Sequence, residues 1–120
     1  MKLTIAEIFN AREPMNELAK AKLPVKSSLS LLKLIRKLEE HYEPANKVKL
    51  GLFQTYGHPV ENQPGNFSCG PTDKGWPKFC EEFGELVSQE VEVVFEPVKL
   101  PDTLEISPFT LMALEKFITI

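Results

Sequence analysis

The sequence predicts an α+β fold: an N-terminal helical hairpin with a long second helix, a third helix, a small antiparallel sheet and a short C-terminal helix. Three observations predict it. Apolar residues recur at spacings of three and four through most of residues 5–56, the signature of helices buried along one face. A single β-branched run with period two, Val91–Glu96, follows much later. Between them, residues 58–75 concentrate three prolines and three glycines, which breaks the chain into two halves. At 120 residues there is room for one core. Residues 1–120 are therefore expected to form a single domain: a helical hairpin (1–57), a turn-rich segment (58–75) and a helix–strand–helix end (76–120).

The first helix opens on Thr4-Ile5-Ala6-Glu7, which has the form of a capping box: the Thr4 hydroxyl accepts from the Glu7 N–H, and the Glu7 carboxylate reaches back. Ile8, Ala11, Met15 and Leu18 then fall on one stripe. Pro14 lies inside it and is expected to kink the helix or divide it. Leu23-Pro24 closes the element. In the second helix, Leu31, Ile35, Leu38, Tyr42, Ala45, Lys49, Leu52 and Tyr56 form a heptad-like seam broken only at Lys49. Pro44 is expected to bend or break this helix, and Gly57 to end it.

Pro64-Gly65-Asn66 signals a turn, and Asn66–Cys69 suits a short strand or an ordered loop. A small hairpin or a partner-facing loop fits the segment better than a linker. The third helix starts near Pro77 and carries Trp76, Phe79, Cys80, Phe83, Leu86 and Val87 on one stripe, with Glu81, Glu82 and Glu85 opposite. Val91, Val93 and Phe95 share one face of a strand that Pro97 confines to an edge or ends. Leu104–Ile106 is its expected partner. Ser107-Pro108 starts the last helix, with Phe109, Met112, Ala113 and Phe117 on its inner side.

The net charge of -3 conceals an asymmetry. Residues 1–57 hold ten Lys/Arg against six Glu, a balance of +4, whereas residues 58–120 hold four Lys against eleven Asp/Glu, a balance of -7. The two halves either attract each other, within the chain or between copies, or simply solvate two faces of different sign.

No catalytic constellation stands out, and nothing asks for a cofactor or a metal. Cys69 and Cys80 share no ligand spacing with His41 or His58. Cys80 reads as a small core residue, and nothing near Cys69 lowers its pKa. His58 stands at a helix end, where a cation favours terminal carbonyls. The carboxylate pairs Glu39/Glu40, Glu81/Glu82 and Glu92/Glu96 lie on faces expected to be solvated. A basic patch of Lys26, Lys33, Arg36 and Lys37 on the second helix is the one candidate for phosphate contact. Pairing of Lys33 and Lys37 with Glu40, the acidic whole chain and the want of an aromatic ladder beside the patch all weigh against nucleic acid.

The opening KLTIAEIFNAREPMNELAKAKLPVK, the long amphipathic helix ending Tyr56-Gly57, and the later phrases FCEEFGELVSQEVEVVFEPVKL and LEISPFTLMALEKFI resemble small proteins of unknown function encoded by tailed phages and prophages. The resemblance covers most of the chain, with 58–75 the least matched. It implies a phage or prophage origin and carries over no catalytic residue.

The expectation is a non-enzymatic interaction or assembly protein in the cytoplasm of the host cell, contacting a protein partner or further copies of itself, without a membrane. Leu31, Ile35, Leu38, Tyr42 and Leu52 are its candidate seam, either shared between copies or buried within the chain. The alternative is a small nucleic-acid or nucleotide-ligand binder using the basic face of the second helix.

Overall fold

Thr4 is the point at which the chain turns from strand to helix. In the computed structural model, which describes residues 1–120, Lys2–Thr4 form strand β1 and Ile5–Ala19 form helix α1. The Thr4 hydroxyl accepts from the Glu7 N–H at 3.2 Å, and Glu7 Oε1 accepts from the Thr4 N–H at 3.1 Å, the reciprocal box expected from the sequence. The other oxygen of Glu7 takes the Lys116 ammonium. Held first by Lys116 and then by Thr4, this carboxyl lies below the ordinary glutamate value of 4.5.

Helix α1 buries Ile5, Ile8, Ala11, Met15 and Leu18. Pro14 neither divides nor ends it. An interior proline costs about 3 kcal/mol, whereas each large apolar side chain buried around it returns about 1.5–3 kcal/mol, so packing overrides the break. Helix α2, Val25–Tyr56, likewise runs unbroken through Pro44 for 32 residues, about 48 Å. Pro44 and Glu40, whose carbonyl it leaves unpaired, are both exposed, so water can satisfy that group. Gly57 ends α2 for a reason other than a left-handed turn: its backbone is extended. A Cβ there would lie 2.0 Å from the Ser68 carbonyl oxygen, so only glycine permits the approach of the next element.

That element is a hairpin of β2, His58–Pro59, and β3, Phe67–Ser68, paired antiparallel with His58 opposite Ser68. Asn62 and Gly65 supply the left-handed residues of its turn, at φ 62° and 83°. Helix α3, Trp76–Ser88, follows. Its inner face centres on Phe79, which stacks on Phe53, Trp76 and Phe83 with ring centroids 5.1, 5.7 and 5.5 Å away. Cys80 is exposed rather than core; it lies about 100° around the helix from Phe79, past the rim of the buried face. Glu82 is half-buried rather than solvated, and its carboxylate beside the Tyr56 hydroxyl raises the Tyr56 pKa.

The sheet differs from expectation in its partners. Strand β4, Glu90–Glu92, pairs antiparallel with β1, placing Leu3 opposite Val91, and Leu104–Ile106 form no strand. Leu3 is fully buried in this position, while Leu104 and Ile106 reach the core as packed side chains. Strand β5, Val98–Lys99, pairs with β6, Ile118–Thr119, in parallel. Helix α4, Pro108–Leu114, starts after Ser107, as expected, but the Ser107 side chain makes no capping bond. Its inner side is also rephased. Leu114 is buried and Leu111 packs against the core, while Phe109 and Met112 are 81% and 68% exposed. The helix lasts only seven residues, and the turn after it delivers Phe117 to the core, so helical phase cannot be extrapolated from Phe117 back to Phe109.

The resulting α+β molecule measures 50 × 32 × 21 Å. Its main core joins β1, α1, α2 as far as Ala45, and residues 93–117, and Phe79 centres a smaller aromatic cluster beside the far end of α2. Thr4→Ala should cost about 1 kcal/mol and Leu18→Ala about 2–5 kcal/mol in urea unfolding, because Thr4 caps α1 and Leu18 has no exposed surface.

Candidate functional site

The candidate seam of α2 faces inward. Leu31 and Leu38 are buried in the main core, Ile35 and Tyr42 pack against it, and Leu52 is half-buried farther along. Tyr42 meets Phe9 edge to face with ring centroids 5.5 Å apart, and the Arg12 guanidinium lies 4.0 Å from the Tyr42 ring centroid. The polar break at Lys49 has a partner of its own, since its ammonium lies 5.2 Å from the Phe9 centroid. A cation over a ring is worth about 0.5–1 kcal/mol at such partly exposed places. These contacts clasp α1 onto α2.

The flank of α2 beside the seam carries a groove. Lys26, Lys33 and Lys37 stand at i, i+7 and i+11, which places them on one side of a helix. Opposite them runs the segment from Val94 to Pro101. Two depressions, of about 360 and 440 Å³, lie end to end between helix and segment and share Ser30 and Glu96. Two bonds tie the walls together: the Ser27 hydroxyl donates to the Lys99 carbonyl at 2.6 Å, and the Lys37 ammonium donates to the Val94 carbonyl. Three of the four basic-patch residues, Lys26, Lys33 and Lys37, therefore line one groove, joined by Lys99. Arg36 is exposed on an adjoining face and does not line it.

The expected pairing of Lys33 and Lys37 with Glu40 does not form, and none of the four groove lysines makes an ion pair. Glu96 is the one carboxylate in the lining. The opposite wall also offers backbone. Val93 donates its N–H to Met1, and Val98 donates to Phe117, but the N–H groups of Val94, Phe95 and Glu96 have no acceptor. The groove thus presents four ammonium groups, the Ser30 hydroxyl and open peptide groups, which suit carboxylates or phosphates. Sequence reasoning found the helical wall and missed Lys99 and the segment. The signal was present: Val91, Val93 and Phe95 facing inward leave Val94 and Glu96 facing outward, and Pro97 marks an edge.

Titratable groups also gather near the far end of α2. His58 bonds Asp73 through Nδ1 at 2.9 Å instead of meeting helix carbonyls, and Asp73 accepts from the Gly70 N–H at 2.8 Å. The Gly70 N–H first, then His58, hold the Asp73 carboxyl below its ordinary value. Cys69 is half-buried, and its thiol donates to the Tyr56 carbonyl at 3.6 Å. Burial and then the Asp73 charge push that thiol up, away from the thiolate a nucleophile needs. No three His, Cys, Asp or Glu side chains converge as metal ligands. The cluster pins the turn-rich segment.

The lowered pKa of Asp73 fixes the sign of a pH effect. Its contribution is complete above the ordinary aspartate value of 3.8 and is lost as pH falls through the lower value of the folded protein. Asp73→Asn should therefore lower the urea midpoint near neutrality, and the gap from wild type should shrink as pH drops below 3.8. A gap independent of pH would assign the loss to packing instead.

No family model matches this chain, and neither a curated protein nor a solved structure is significantly similar to it.

Proposed function

We propose that this chain is a non-enzymatic interaction or assembly protein of a tailed phage or prophage, acting in the host cytoplasm through protein–protein contacts that include its own copies. The observation that carries the reading is surface. A globular monomer of 13.6 kDa exposes about 6,600 Å², whereas this chain exposes 8305 Å². The excess, about 1,700 Å², exceeds the roughly 800 Å² that one partner contributes to a standard interface. Large apolar side chains contribute to it. Phe109, Met112 and Ile120 are exposed near the C-terminal end, and Val25, Leu29 and Leu32 form an outward stripe on α2. No helix is long and apolar enough to cross a membrane.

The unpaired groove lysines favour a second reading, a nucleic-acid or nucleotide-ligand binder. Against it stand the net charge of -3 and the position of the aromatic stack, which is centred on buried Phe79 rather than offered to bases beside the lysines.

Sedimentation velocity over a wide concentration series should show reversible association. Phe109→Asp combined with Met112→Asp should shift the protein to monomer without moving the unfolding midpoint of dilute, monomeric samples, since neither side chain is buried within the chain. A strict monomer at every concentration, unchanged by the double substitution, would remove self-association from the proposal.

A further inference from the structure

We propose that the groove between α2 and residues 94–101 is a docking site for an extended acidic peptide of a protein partner, which adds as a strand along Val94–Glu96. The inference rests on the protein-interaction reading but not on self-association. Val94, Phe95 and Glu96 leave their N–H groups without acceptors, although they lie between residues that are paired in strands on either side. Such an edge is the usual template for β-strand addition. Lys37 already acts where a neighbouring strand would, donating to the Val94 carbonyl. An incoming peptide N–H replaces that bond and releases the ammonium for a carboxylate.

The spacing of charge fits the same occupant. Lys33 and Lys37 are one helical step of four residues apart, about 6 Å along the axis. Alternate side chains of an extended peptide recur every ~6.6 Å, so acidic residues at i and i+2 meet both lysines. The Ser27–Lys99 and Lys37–Val94 bonds are ten residues apart along α2. They bracket about 15 Å, the length of a strand of about five residues. None of Lys26, Lys33, Lys37 and Lys99 has a carboxylate partner within the chain, so each is free to meet one on the docked segment. A nucleic acid would find the phosphate contacts but neither a stacking platform nor a use for the open backbone edge.

The probe is a fluorescent, end-blocked ten-residue peptide alternating Glu and Val, titrated into the full-length protein and followed by anisotropy. Binding is expected, weakened about tenfold or more by Lys33→Glu with Lys37→Glu and unchanged by Lys47→Glu, an exposed α2 lysine outside the groove. N-methylation of alternate peptide nitrogens should abolish binding in one register and spare it in the other, as strand addition requires. Equal binding of a Lys/Val peptide, or equal loss in both methylation registers, overturns the proposal. No binding of the Glu/Val peptide by a protein that still self-associates overturns the site and leaves the interaction reading standing. Tighter binding of oligothymidylate, lost with the same lysine substitutions, overturns both in favour of nucleic acid.

Discussion

The stripe of Ile5, Ile8, Ala11, Met15 and Leu18 on α1 has to be covered from more sides than one neighbour can supply. Helix α2 takes one flank through Leu31, Leu34 and Leu38, clasped by the Arg12–Tyr42 and Lys49–Phe9 contacts. The other flank is closed by the later part of the chain, where α4 packs on α1 and brings in Leu114, with Phe117 in the turn beyond it. Strand β1 precedes α1 directly and fixes its entry by pairing with β4. The Glu7 carboxylate then joins the capping box of α1 to Lys116, 109 residues away. Much of the remaining architecture follows from the need to keep that stripe dry.

Length mismatch accounts for the shape. Helix α1 has 15 residues and α2 has 32, so α2 outruns its partner by about 25 Å. The overhang must bury its own apolar face, and α3 with the β2–β3 hairpin serves that purpose through Phe53, Phe79 and the exclusion of any Cβ at Gly57. The radius of gyration is 17.0 Å, against about 14 Å for a compact domain of this length. The same overhang keeps the number of buried residues small and the exposed area large. It also leaves the lysine groove and the pinned turn-rich segment on opposite stretches of one helix.

The sequence announced what is encoded locally. Helical periodicity, the Thr4–Glu7 box and the turn residues of 58–75 were legible because each depends on residues within a turn or two of one another. Pro14 and Pro44 misled because their penalty is local, whereas the burial around Ile8, Met15 and Leu38 that outweighs it is tertiary. The partner of β4 was hidden because β1 is three residues long and only Leu3 in it is large and apolar. Cys80 and Phe109 lie slightly off the true centre of short buried faces, so periodicity alone points them inward although both are exposed. Half of the candidate groove was readable, since its lysines share a helical flank. The other wall comes from a segment some sixty residues later, and that proximity exists only after folding.

The pairing of β5 with β6 constrains how the molecule comes into being on the ribosome. Val98 donates to Phe117 and Leu100 to Thr119, while Leu114 and Phe117 are fully enclosed by the core. Until residues 114–119 have emerged, α1 and α2 can associate, but one flank of the α1 stripe stays wet. From the completion of α2 until residues 114–119 emerge, the nascent chain therefore carries an open apolar hairpin, and that later segment acts as the latch. A chaperone holding that hairpin, or a partner that reaches it first, competes directly with the protein's own C-terminal segment.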